Sequence, residues 1–380
     1  MAKAILLTGY PSGLLARMLL RRVLAHERDA RVLVLTPRAQ LEQAHSDLAQ
    51  LDAEQRVRVE VVIGDTVDMD FGLSGKRFME LAATVDVIHH CAFVSYAGAR
   101  RELAERVNVQ GTGEVLELAE AANHLSQLVL WSTALVGATK GRVFEGELRA
   151  PSSFPSAVEE TRFRAEVMVR DVMDHVPTTV LRPSIIVGDS VTGEIDRIEG
   201  PYLLVQLMLS SPVDLRVPLP GRGDVLLNLV PIDYVVNAGH AIARDARSIG
   251  RTFHLVDEQP LTARRVFELI AEACGRPGPV GSLPTQLATA LLCTPGLERF
   301  SHIPRAFLEQ LATEVWYDAR NTRELLAGTG IECPRAATYL QVMVDYVRSE
   351  QQKKASTRAQ QRAAQPRRRR ESEFEDDPLG

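Results

Sequence analysis

A chain of 380 residues, 45% hydrophobic and 24% charged, has the composition of an ordinary globular protein with one large core or two smaller ones. Its net charge of −5 gives the body no reason to bind nucleic acid, and no run approaches the ~18 apolar residues of a membrane span. Cys91, Cys274, Cys293 and Cys333 lie far apart without metal-ligand spacing, which predicts buried thiols in a reducing compartment and a cytoplasmic protein.

In chain order, Ala4–Leu7 is predicted as a strand; it is too short for a signal-peptide core and breaks at Gly9 and Pro11. Leu14–Ala25 follows as a helix, with apolar residues at positions 14, 15, 18, 19 and 23. Strands are predicted at Arg31–Leu35, Arg58–Ile63, Val85–His89, Leu128–Trp131 and Thr178–Ile186. Helices alternate with them at Ala39–Leu51, Glu102–Ala122 and Ala157–Val172. Continuous apolar strands alternating with helices predict an α/β fold, a parallel sheet doubly wound in the Rossmann manner. Past about residue 190 the rhythm loosens. Gly193–Leu219 is loop-rich, Asp233–Ala243 reads as a helix and Thr252–Val256 as a strand. Leu261–Ala273 reads as a helix with Thr262 as N-cap, and 283–312 is apolar and helical, broken by Pro295 and Pro304. The organisation expected is a Rossmann core over 1–190, a smaller, mostly helical lobe over 191–349 interleaved with the last core elements, and a disordered charged tail over 350–380. Residues 351–380 hold eight Lys/Arg against five Asp/Glu, a net +3, and include the run Arg367–Arg370; the rest of the chain carries −8.

Between the first strand and first helix stands Thr8-Gly9-Tyr10-Pro11-Ser12-Gly13. Glycines in such a turn let the backbone approach a pyrophosphate, which then sits against the helix N-terminus. Position in the strand–turn–helix context favours a dinucleotide over an ordinary tight turn, although the glycine spacing is unusual and Ala16 takes the place of a third glycine. After the second strand, Thr36-Pro37-Arg38 offers no carboxylate for the ribose hydroxyls of NAD. Arg38 is either a partner for a 2′-phosphate, which favours NADP(H) over NAD(H), or a solvated arginine. His89 and His90 have no partner cluster with ligand spacing, and no metal is predicted.

Further segments carry a family resemblance over roughly residues 3–349: Gly64-Asp65, His89-His90-Cys91-Ala92, Val107-Asn108-Val109-Gln110-Gly111-Thr112, Ser132-Thr133-Ala134, Arg182-Pro183-Ser184-Ile185-Ile186-Val187-Gly188, Asp189-Ser190-Val191-Thr192-Gly193 and Asn228-Leu229-Val230-Pro231. Together these resemble the extended short-chain dehydrogenase/reductase family, in its thioester reductase and fatty acyl-CoA reductase branch. The resemblance implies NADPH-dependent reduction of an acyl thioester or aldehyde, a small acyl or carbonyl substrate. It assigns Asp65 to the adenine, Cys91 and Ala92 to the loop beside the cofactor, and Asn108 to backbone near the active site. It also assigns Pro183 and Ile185 to the nicotinamide side and Thr133 to the catalytic hydroxyl. With the phosphate loop (Thr8, Gly9, Pro11, Ser12, Gly13) and Arg38, these make up the expected cofactor site.

One part of the family pattern fails. The stretch that should hold the catalytic Tyr and, four residues on, its Lys reads Ala157-Val158-Glu159-Glu160-Thr161-Arg162. No tyrosine lies between 97 and 201, and no tyrosine of the chain is followed four residues later by lysine. Valine cannot transfer a proton; losing that acid should cost on the order of 10²- to 10⁴-fold in rate. Arg162 keeps a positive charge able to donate to ribose hydroxyls, and Thr133 can still hold a substrate carbonyl. Two readings therefore stand: a diverged reductase, or a non-catalytic dinucleotide-binding sensor or scaffold. Oligomeric state is not legible.

Overall fold

The structure is a computed structural model that describes residues 3–96, 98–137, 140–210, 219–221, 223–283, 311 and 314–364. Seven strands form one parallel sheet: β1 (Ala4–Leu7), β2 (Arg31–Thr36), β3 (Val59–Ile63), β4 (Val87–His90), β5 (Gln127–Trp131), β6 (Thr178–Pro183) and β7 (Thr252–Leu255). Their order is β7-β6-β5-β4-β1-β2-β3, so the winding reverses between β1 and β4. Strands β1, β4, β5, β6 and β7 are buried at every residue, which is why they read as mostly apolar or β-branched runs, with His89, His90, Gln127, Arg182 and His254 as buried polar exceptions.

Helices cover both faces. On one, α1 (Leu14–His26) and α5 (Ile232–Ala243) bury Leu19, Leu20, Val23, Val235 and Ile242 against Ile5, Val32, Val129 and Leu181. On the other, α2 (Gly111–Ala121) and α3 (Ala157–Asp171) bring Val115, Leu118 and Val169 onto Leu6, Leu33, Ile88 and Leu130. A separate core forms the second lobe. There α4 (Pro201–Ser210), α6 (Ala263–Cys274) and α7 (Ala336–Ala364) pack Tyr202, Val205, Phe267, Ile270, Leu340 and Val344 together. Thr262 caps α6 as expected, accepting from the Arg265 N–H at 3.3 Å.

Three details depart from the sequence reading. The strand expected over Thr178–Ile186 leaves the main sheet at Pro183, which has no N–H to continue a ladder, and resumes as Ile185–Val187 paired with Leu229–Pro231. The helix expected over Glu102–Ala122 contains a π turn at Glu105–Gln110. Disorder expected from residue 350 onward does not begin there, because α7 continues through Ala364. Residues 352–357 are exposed, but Gln, Lys and Ala are strong helix formers, and extending a packed helix avoids the cost of nucleation. The expected apolar segment 283–312 lies, but for residues 283 and 311, outside the described residues, as do 211–218 and the arginine run 367–370.

Candidate dinucleotide site

In doubly wound sheets a ligand binds where the winding reverses, at the carboxyl ends of the strands. Here that point is the loop joining β1 to α1, facing the end of β4. Gly9 has φ 82°, and a β-carbon on it would sit 2.7 Å from the Cys91 carbonyl oxygen, so only glycine lets the loop pass this close to β4. Gly13 is the extended N-cap of α1 with no side-chain cap, leaving the first-turn N–H groups to other acceptors. Pro11 is buried and Ser12 exposed. Tyr10 pins the loop from below, its hydroxyl donating to Asp47 at 2.9 Å.

Behind the loop runs a closed hydrogen-bond chain. The Thr8 hydroxyl accepts from the N–H groups of Cys91 and Ala92, both at 3.1 Å, so its own proton goes to His90 Nδ1 at 3.0 Å. His90 Nε2 then donates to Thr112 at 3.0 Å, and Thr112 donates to the Asn108 carbonyl at 2.6 Å. Asn108 continues the line. Its Oδ1 accepts from Val94 N–H at 2.8 Å, and its Nδ2 donates to the Val94 carbonyl at 3.1 Å and to Thr161 at 2.9 Å. Thr8, His90, Thr112 and Asn108 are all fully buried. Thr8 and Asn108 thus act by shaping the β4 loop, with their polar groups already engaged. Burial, helped by Arg162, drives His90 down to about 3, so it stays neutral. Burial also pushes the Cys91 thiol up.

Arg38 stands exposed in the single turn Arg38–Gln40 after β2. Asp65, half-buried after β3, accepts from Val67 N–H at 3.3 Å, while its own N–H donates to the Phe71 carbonyl at 3.1 Å. Both therefore lie along the same sheet edge as the glycine loop.

The far end of the cleft is α3. Val158 is 7% exposed and forms an apolar cluster with Val94 and Ala104, against which Tyr96, Leu103 and Val107 pack. One turn on, Arg162 donates to the Trp131 carbonyl at 3.0 Å and lies 4.0 Å from the Phe93 ring centre. Burial lowers its pKa to about 10 against the pull of Glu166, so it remains charged near neutrality. Thr133 is half-buried; its hydroxyl donates to the Pro183 carbonyl and accepts from Leu135 N–H, both at 3.3 Å. Ile185, half-buried, begins the short strand just past Pro183.

Sequence reasoning missed the support of this face. Glu166, one turn beyond Arg162, is wholly buried and pairs with Arg182 of β6 at 2.5 Å, Arg170 at 2.9 Å and Ser132 at 2.6 Å. Burial would raise its carboxyl, but Arg182, Arg170 and Ser132 together hold it below the usual range. A glutamate four residues after Arg162 is the only signal of it in the sequence.

A family model described as male sterility protein, an NAD-binding family, matches residues 7–239, well over half the chain. The chain belongs to that family. Among its relatives, a fatty acyl-CoA reductase of Drosophila melanogaster is 26% identical over 227 residues, 52% of this chain and 43% of the fly protein. A linear gramicidin synthase of Brevibacillus parabrevis is 28% identical over 269 residues, 67% of this chain but 5% of that one. The chain thus spans less than half the length of these relatives. Among solved structures, the terminal R domain from the myxalamid PKS-NRPS pathway superposes with a TM-score of 0.77 at 25% identity, covering 92% of this chain and 91% of that domain. A UDP-glucuronic acid 4-epimerase from Bacillus cereus, in complex with NAD, shares the fold with a TM-score of 0.65 at 17% identity, covering 91% of this chain and 99% of that one. The family is thus an NAD(P)-binding one, of reductase type, and no helix among the described residues is long and apolar enough to cross a membrane.

Proposed function

We propose that this domain binds NADP(H) in preference to NAD(H) and presents it to an acyl thioester or aldehyde. The single observation that carries this reading is the approach of Gly9 to the Cys91 carbonyl, which opens the α1 N-terminus at the point where the sheet reverses. The polar groups fit the cofactor: first-turn N–H groups of α1 for a diphosphate, that of Leu14 now donating to Asp196, exposed Arg38 for a 2′-phosphate, and the Asp65 carboxylate as an acceptor on the adenine side. When bound, the cofactor supplies a hydride. The chain supplies orientation: Arg162 as a fixed cation beside the ribose and Thr133 as a hydroxyl for the substrate carbonyl. In this reading Val158 fills the place where the family carries a phenol acid, so proton delivery falls to solvent and turnover is slow.

One observation favours the second reading, a dinucleotide-binding protein without catalysis: Val158 is not beside an empty space but packed within an apolar cluster. Cofactor choice is tested by fluorescence titration of the parent and Arg38→Asp with NADPH and NADH. The parent should prefer NADPH on the order of tenfold, and Arg38→Asp should abolish or reverse that preference. Equal affinities in the parent would contradict the assignment of Arg38.

A further inference from the structure

The segment after residue 188 is tied down at its base. Asp189 accepts from the N–H groups of Val191 and Thr192 at 3.0 and 2.8 Å, and Ser190 is held by Asp233 at the start of α5. Gly193, at φ 74°, lies so close to α7 that a β-carbon there would come within 2.6 Å of the Tyr346 β-carbon. From this footing the chain crosses to the phosphate loop. Asp196 accepts from the N–H of Leu14, the first residue of α1, and pairs with Arg17 at 3.0 Å. Arg17 also faces Glu194 at 3.7 Å and donates to the Pro11 carbonyl at 3.0 Å. The next residue, Arg197, stacks 4.1 Å from the centre of the Tyr96 ring, in the segment packed against Val158.

A helix N-terminus that binds diphosphate offers unpaired N–H groups and a positive potential. Here one of those groups, on Leu14, already holds a carboxylate, and the nearest cation is neutralised by the same side chain. An anion of the ligand and the Asp196 carboxylate would compete for one donor and repel each other at that range. We propose that Asp196 is a built-in stand-in for the dinucleotide diphosphate. The strap Glu194–Arg197 lies across the start of α1 and must lift for the diphosphate to take the same donor. Lifting frees Arg17 for the incoming phosphates and breaks the Arg197–Tyr96 stack, so phosphate binding at one end of the cleft is coupled to the substrate-side segment at the other.

The inference rests on the NADP(H)-binding reading, and the test separates the two. Asp196→Asn removes the charge at nearly constant shape, and Asp196→Ala removes the acceptor as well. Both should bind NADPH more tightly than the parent, on the order of tenfold, since a partly exposed ion pair and one charge-assisted hydrogen bond no longer oppose it. Adenosine 2′-phosphate, which has no diphosphate, should bind parent and variants alike. Parent and variants that bind NADPH with the same Kd overturn the strap proposal alone, as does an equal gain for both probes. Failure of all three proteins to bind NADPH overturns both readings.

Discussion

The two ends of the cleft are built from opposite materials. At the phosphate end, Thr8, His90, Thr112 and Asn108 form a buried chain in which each donor meets an acceptor, and glycine stands where backbone must pass backbone. At the α3 end the lining turns apolar, with Val158 enclosed by Val94, Ala104 and their neighbours, and Arg162 supplies the charge. The first is costly to keep: a half-satisfied polar chain would be worse than an apolar core, so a complete one marks a loop whose shape matters. The second is easily kept, because aliphatic packing needs no partner. On the reading proposed above, the difference separates binding from chemistry: the polar end would cradle the cofactor, and the apolar end offers Val158 where the resembled family carries its proton donor.

The largest expected effect comes from cutting the support behind α3. Glu166→Ala leaves Arg182 buried without its counter-charge and should lower stability by about 3–5 kcal/mol, read as a fall in Tm or denaturant midpoint. Acid should act in the same place. The folded-state pKa of Glu166 lies below its unfolded value of about 4.3, so its contribution is present above that pH and is lost as pH falls through the depressed folded value. The variant should therefore lose less stability than the parent on acidification below about pH 4. A variant as stable as the parent would show that the buried pair does not hold α3 in place.

A smaller effect tests the α3 end itself. Val158→Tyr with Arg162→Lys restores the family's pair on paper, but the added ring must enter a filled apolar cluster. The double variant should lose about 1–3 kcal/mol through overpacking and gain no turnover. A clear rise in NADPH-dependent reduction would show that the cluster opens for a phenol and would weaken the contrast between the two ends.

Much of this was legible in the sequence. The central strands are buried on both faces and so appear as largely apolar runs, and the glycine loop stands directly between strand and helix. Asn108 was legible only by resemblance, since nothing in its spacing says that it bridges Val94 and Thr161. The contacts that sequence reading missed depend on how elements pack: Leu14 and Asp196 are 182 residues apart, and Glu166 of α3 meets Arg182 of the strand that follows it, 16 residues on. Charges at such separations become partners only through the fold. The exit at Pro183 was readable from the missing N–H, and the helical end of α7 from propensity, had burial not been given the greater weight.

The most direct test of the account is a paired measurement on the unmodified chain: NADPH affinity by titration, and NADPH oxidation against a panel of acyl-CoA thioesters and aldehydes. The account predicts saturable NADPH binding with turnover far below the ~10 s⁻¹ of a typical enzyme. Turnover at that ordinary rate would contradict it, because some other group would then be delivering the proton that Val158 cannot.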